Sequence, residues 1–184
     1  MILPVYTYGN AILRKQASNI DADYPGLKTL INNMYQTMYN ADGIGLAAPQ
    51  IGLPIRLLVI DLSPFKEDNP ELGEFKITMI NPRIIEQSKT EIMMEEGCLS
   101  IPGVYENVMR PQKIKISYFD ADFNKHTDEF SGQKARVIQH EYDHLEGNLF
   151  TDKISPLRRQ LIKSKLINIS RGKTTCRYKT TKAL

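Results

Sequence analysis

The stretch Gln139-His140-Glu141-Tyr142-Asp143-His144 decides how the chain is read. On a helix, residues four apart lie on one face, one turn from each other. His140 and His144 then offer two imidazoles to a single metal ion. Glu141 stands beside the first of them, within reach of a water on that ion. This is the H-E-x-x-H pattern, whose chemistry is a metal-activated water plus a carboxylate that moves protons. The flanks agree with a helix. Gly132 can open it, Val137, Ile138 and Leu145 give it apolar faces, and Gly147 can end it. So short a motif also arises by chance, and the bland reading is a surface helix with two half-buried histidines.

Working outward, the preceding segments read as short strands. Residues 113–120 alternate Ile114, Ile116 and Tyr118 with polar partners, as a half-buried strand does. Residues 125–130 are expected to pair with them across a turn at 122–124. Residues 75–80 and 83–92 are further strand candidates, broken by Asn81-Pro82. Residues 95–103 lead into a turn region. Leu57, Leu58, Val59 and Ile60 form an apolar run within a strand at 56–61, and residues 63–73 look like a surface loop.

Nearer the start, Leu27, Leu30, Ile31, Met34 and Met38 recur at three- and four-residue steps, which predicts an amphipathic helix over 24–39. Its methionines read as core residues. Residues 2–20 read as an irregular entry segment. Residues 43–50, Gly-Ile-Gly-Leu-Ala-Ala-Pro-Gln, follow a helix rather than a strand and lack G-x-G-x-x-G, so a phosphate-binding loop is excluded. They read as a loop whose small residues let backbone approach something closely, against the alternative of a plain turn. After the motif, Ser155 and Pro156 offer an N-cap and a first-turn proline for a last helix to about residue 169.

The order of helix, short strands and helix predicts an α+β fold. We expect a single domain over 1–184, with mixed and antiparallel short-stranded sheets around a central metal-binding helix and a helix near each end. The 184 residues suffice for one sizeable core. No apolar run is long enough to span a membrane. The N-terminus lacks the basic and apolar regions of a secretory signal, so a cytoplasmic location is expected. Two cysteines, Cys98 and Cys176, do not make a disulfide framework.

A catalytic metal of this kind takes three protein ligands and keeps a position for water. His126 is the one further histidine, and no glutamate follows Glu146, so a downstream histidine or glutamate ligand is excluded. Cys98, Cys176 and Asp152 remain. Cys176 lies in a basic tail expected to be mobile, and Asp152 is close after the helix. Cys98 sits between Gly97 and Leu99 in a segment that reads as ordered, and its thiolate would suit zinc or ferrous iron. Its bland reading is a small buried hydrophobe.

Three separated segments, 43–50, 96–100 and 139–145, resemble in order and spacing the three signature motifs of the bacterial peptide deformylase family. The resemblance runs from about residue 3 to about residue 165. It implies that Cys98, His140 and His144 bind the metal, ferrous iron in this family, with zinc, nickel or cobalt able to replace it. It implies Glu141 as acid and base, with Gln50 and the backbone N–H of Leu99 supporting the oxyanion. Ile44, Gly45 and Gly97 would pair with the substrate backbone as an added strand. An apolar pocket near Ile44 and Val137 would take the first side chain, methionine. Arg136 stands where many relatives are apolar, which bears on the lining of that pocket. The implied reaction removes formyl from N-formyl-methionyl nascent peptides.

Charge is unevenly spread. Residues 153–184 hold ten Lys/Arg and no Asp/Glu, which leaves 14 basic and 21 acidic groups in the first 152 residues. The bland reading is a solvated helix face and frayed end; the functional one is contact with ribosomal RNA, as the resemblance implies. A monomer without membrane contact is expected. Two other readings compete: a general zinc peptidase built on the same helix, and a non-enzymatic RNA- or ribosome-binding module. The missing downstream ligand and the presence of Cys98 argue against the peptidase.

Overall fold

A computed structural model describes residues 1–181. Lys182, one of the basic tail residues, lies outside the described residues. In chain order the elements are β1 (Val5–Tyr6), α1 (Leu27–Asn40), β2 (Gly45–Ala47), β3 (Leu57–Asp61), α2 (Pro70–Gly73) and β4 (Lys76–Gln87). Then follow β5 (Glu91–Cys98), β6 (Ile101–Pro111), β7 (Lys113–Phe119), β8 (Lys125–Ser131), α3 (Gly132–Leu145), α4 (Pro156–Ser170) and β9 (Thr180–Thr181). The fold is α+β, with a helix near each end and the H-E-x-x-H helix between sheets.

A five-stranded sheet of order β2-β3-β4-β7-β8 forms the centre, antiparallel throughout. Its β3 explains the apolar run. Leu58 and Ile60 pack with Ala135, Ile138 and Leu145 of α3, while Leu57 and Val59 pack with Ile31, Met34 and Met38 of α1. A strand covered on both faces needs apolar residues at every position. Met34 and Met38 are fully buried, as the periodicity of α1 predicts. Ser155 caps α4 by accepting from Arg158 N–H at 3.3 Å. Gly147 stops α3 in the left-handed region, φ 74°, where a side chain would also meet the Arg14 carbonyl.

Four expectations are corrected. Asn81-Pro82 does not split a strand; β4 runs through it with a register shift between Ile80 and Arg83. Asn81 takes φ 50°, tolerable for asparagine, and its side chain binds both the N–H and the carbonyl of Ile20. Residues 43–50 are not a plain loop, since Gly45–Ala47 pairs with β3 as an edge strand. The turn expected over 95–103 shrinks to Leu99 and Ser100 between β5 and β6, which form their own hairpin. The described part of the C-terminal tail docks: β9 lies parallel to β1.

These packings place α3 between two layers. Its apolar face rests on the central sheet, and its other face meets the β5–β6 hairpin, itself backed by α4 through Val104, Val108, Ile162 and Leu166. Replacing Leu58 by Ala, at the middle of the doubly covered strand, is expected to cost ~3 kcal/mol of stability. Urea unfolding of the two proteins measures it.

Candidate metal centre

α3 directs His140 and His144 toward the hairpin, and the end of β5 brings Cys98 to meet them. One ligand atom from each of the three residues lies within 4.8 Å of the others. Cys98 Sγ is 3.3 Å from His144 Nε2. His140 Nδ1 is engaged by Glu96 Oε2 at 2.8 Å, which leaves Nε2 for an ion. A thiolate and two imidazoles, one of them oriented by a carboxylate, make a donor set suited to zinc or ferrous iron. The residues present fit a divalent ion.

The other ligand candidates fall away. Asp152 is tied to Arg14 and to the N–H of Leu149. Cys176 borders the same cleft but is not in the ligand cluster. His126 pairs with Asp120 and stacks on Tyr118 in the β7–β8 region.

Glu141 is buried beside this cluster, and one of its carboxyl oxygens has no hydrogen-bond partner among the described residues. Burial pushes its carboxyl up to about 7. A group held near neutrality can both take and return a proton. Gly45 makes room for it, because a Cβ there would collide with Glu141 Oε1. Burial pulls His140 down, but hydrogen bonds with Cys98 and Glu96 outweigh it and raise the imidazole well above its usual value. Burial, with the charge on His140, holds His144 well below.

Gln50 is also buried at the site. Its Oε1 accepts from Ala47 N–H at 2.8 Å, which fixes which end of the amide is which. Its Nε2 therefore faces the site, 3.2 Å from Ser100 Oγ and 3.5 Å from Cys98 Sγ. Ile44, Gly45, Gly97, Leu99 and Val137 all border one cleft of about 650 Å³ that reaches His140 and Glu141. Among the described residues β2 is the last strand of its sheet and β5 pairs only with β6, so two strand edges without described partner strands border this cleft.

Sequence reasoning missed the charged layer behind the ligands. Arg110 grips Glu96 through both carboxylate oxygens, at 2.6 and 2.8 Å, and reaches Asp143 at 2.6 Å. Arg136 gives Glu96 another bond at 2.7 Å and holds the carbonyls of Val108 and Ile92. Arg136 thus borders the cleft, but its guanidinium is directed into the hairpin. Under these donors Glu96 stays ionised, its pKa well below the usual range although burial opposes this. A signal was available: Arg136, His140 and Asp143 recur at helical spacing.

The α+β fold and this donor set define a metal-dependent hydrolase. The family model described as Polypeptide deformylase matches residues 2–160. A peptide deformylase of Christiangramia forsetii is 55% identical over 97% of this chain and 95% of its own length. One of Flavobacterium johnsoniae is 53% identical over the same shares. Among solved structures, a Legionella pneumophila peptide deformylase superposes with TM-score 0.82 at 38% identity, covering 94% of this chain and 98% of its own. A plant peptide deformylase gives TM-score 0.83 at 37% identity, covering 93% and 90%.

The chain belongs to the polypeptide deformylase family. It is an enzyme of protein biosynthesis that removes the N-formyl group from nascent peptides. The general zinc-peptidase reading is not favoured. No described helix is long and apolar enough to cross a membrane.

Replacing Glu96 by Gln removes the charge that orients His140 and pairs two arginines. Metal affinity is expected to fall ~10–100-fold. Competition with a chelator of known affinity measures it.

Proposed function

We propose that Cys98, His140 and His144 together hold one ferrous ion, and that zinc, nickel or cobalt can take its place. The observation that carries this is the convergence of a cysteine sulfur and two imidazoles beside a buried carboxyl. When bound, such an ion lowers the pKa of a water and polarises a carbonyl. The protein's own groups do the rest. Glu141 takes the proton of the attacking water and gives it to the leaving amine. The Gln50 amide and the Leu99 N–H donate to the oxyanion; losing one such donor typically costs ~3 kcal/mol of barrier. Gln50 needs no reorganisation for this, since Ala47 already holds its oxygen.

Ile44, Gly45 and Gly97 receive the peptide backbone as an added strand, supported by the two strand edges beside the cleft that have no partner strand among the described residues. Val137 and Ile44 line the pocket for the first side chain, methionine. A cavity fitted to formyl rejects acetyl by its extra methyl, a discrimination of ~1–3 kcal/mol. The substrate class is N-formyl-methionyl nascent chains, and residues 1–184 act as one catalytic unit, a monomer in the cytoplasm.

Glu141→Ala is expected to keep fold and metal while kcat falls ~100- to 10,000-fold. Anaerobic purification, with iron content and formate release measured on the same samples, checks this. A variant with near-normal turnover would overturn the assignment of Glu141, and a wild type free of iron would overturn that of the metal.

The basic C-terminal region adds a contact with ribosomal RNA. On α4, Leu157 and Leu161 are exposed among Arg159, Lys163 and Lys165, while Arg158 is engaged by Glu106. Binding of this electrostatic kind weakens steeply with salt. Co-sedimentation with ribosomes is expected to fall as salt rises, and charge reversal at Lys163 and Lys165 is expected to lower it without changing peptide turnover.

A further inference from the structure

After α4 the chain turns back and docks. Val5 N–H donates to Lys179 O at 2.9 Å and Thr7 N–H to Thr181 O at 3.3 Å. Asn10 Nδ2 adds a bond to Thr181 O at 3.0 Å. Along this strap the side chains alternate. Thr174, Cys176, Tyr178 and Thr180 are half-buried, whereas Thr175, Arg177 and Lys179 are exposed. Thr175 through Tyr178 border the cleft that holds Cys98 and Glu141.

One atom of the strap reaches the backbone of the site. Tyr178 Oη donates to the Leu99 carbonyl at 2.6 Å. Leu99 and Ser100 are the two-residue reversal that follows Cys98. The next carbonyl, that of Ser100, accepts from Tyr8 N–H at 2.8 Å. Ser100 Oγ meets Gln50 Nε2 at 3.2 Å. Segments from the start, the middle and the end of the chain therefore clamp the same two residues. A bond to the Leu99 carbonyl restrains the Leu99–Ser100 peptide plane. That plane is joined through the φ and ψ of Leu99 to the neighbouring plane, which carries the Leu99 N–H.

We propose that Tyr178 is a positioning residue of the deformylase site, acting through the Leu99 carbonyl. The inference rests on the deformylase reading above. A strap that only joined the two chain ends would need the β1–β9 ladder but no hydroxyl at the reversal. Oxyanion donors work at fixed positions, and a displacement of ~1 Å can cost ~100-fold in rate. Loss of one of three restraints is expected to cost less than that.

Tyr178→Phe removes the hydroxyl and keeps the ring and the strap ladder. In the full-length, metal-loaded protein, kcat on a formyl-methionyl peptide is expected to fall about 10-fold, with KM and Tm little changed. Asn10→Ala, which loosens the strap from a distance, is expected to lower kcat in the same direction by less. The carbonyl carbon resonance of Leu99, followed by NMR in the zinc-loaded protein, is expected to move upfield in Tyr178→Phe as its hydrogen bond is lost. A wild-type kcat in Tyr178→Phe, or a rate loss that tracks a lower Tm with the Leu99 resonance unmoved, would overturn the proposal. A wild type that releases no formate would instead sink the deformylase reading, and the Leu99 resonance would still report on Tyr178.

Discussion

Glu96 holds the site together. Its carboxylate accepts twice from Arg110 and once from Arg136, and it engages His140 Nδ1. That is about as many hydrogen bonds as an ionised carboxylate can take. A buried charge is tolerated only when paired and saturated in this way. The same four bonds join three elements, since Glu96 is on β5, Arg110 on β6, and Arg136 and His140 on α3. The distance between hairpin and helix is therefore set by charge geometry as well as by apolar contact. Cys98 stands two residues beyond Glu96 on the same strand.

The helix is built for this double duty. Ala135, Ile138 and Leu145 pack on the central sheet, while Arg136, His140 and Asp143 meet the hairpin. Burial between the two layers raises the Glu141 carboxyl toward neutrality. The seam between the two sheets stays open as a cleft with a strand edge on either side. Glycine at position 45 is what lets that edge approach Glu141, because any side chain there would occupy the space of the carboxyl.

Elements whose packing follows one period are legible in the sequence. α1 repeats its apolar residues at helical steps, β7 alternates, and α4 announces its start through Ser155 and Pro156. β6 is not legible, although it alternates just as regularly. Its inward positions are Val104, Glu106, Val108 and Arg110. Two of those four are charged, and a pattern that equates buried with apolar passes over them. The charges are inside because Arg158 and Glu96 meet them there. The continuation of β4 through Asn81-Pro82 is hidden for a related reason. The Asn81 side chain satisfies the backbone of Ile20, a partner far away in sequence.

The candidate metal ligands are narrowed by local chemistry. A helix fixes the spacing of His140 and His144, and the scarcity of other histidines and late glutamates by itself narrows the third ligand to three residues. The choice of Cys98 among those three requires the hairpin, which alone brings the end of β5 to the face of α3. The buried charges behind the ligands and the docking of the C-terminal strap likewise belong to the tertiary structure. Each depends on partners supplied by distant segments: Glu96 with Arg110 and Arg136, Tyr178 with Leu99, β9 with β1. Periodicity and spacing report what a segment does with its near neighbours. A side chain that meets a distant one leaves no such trace until the chain is folded.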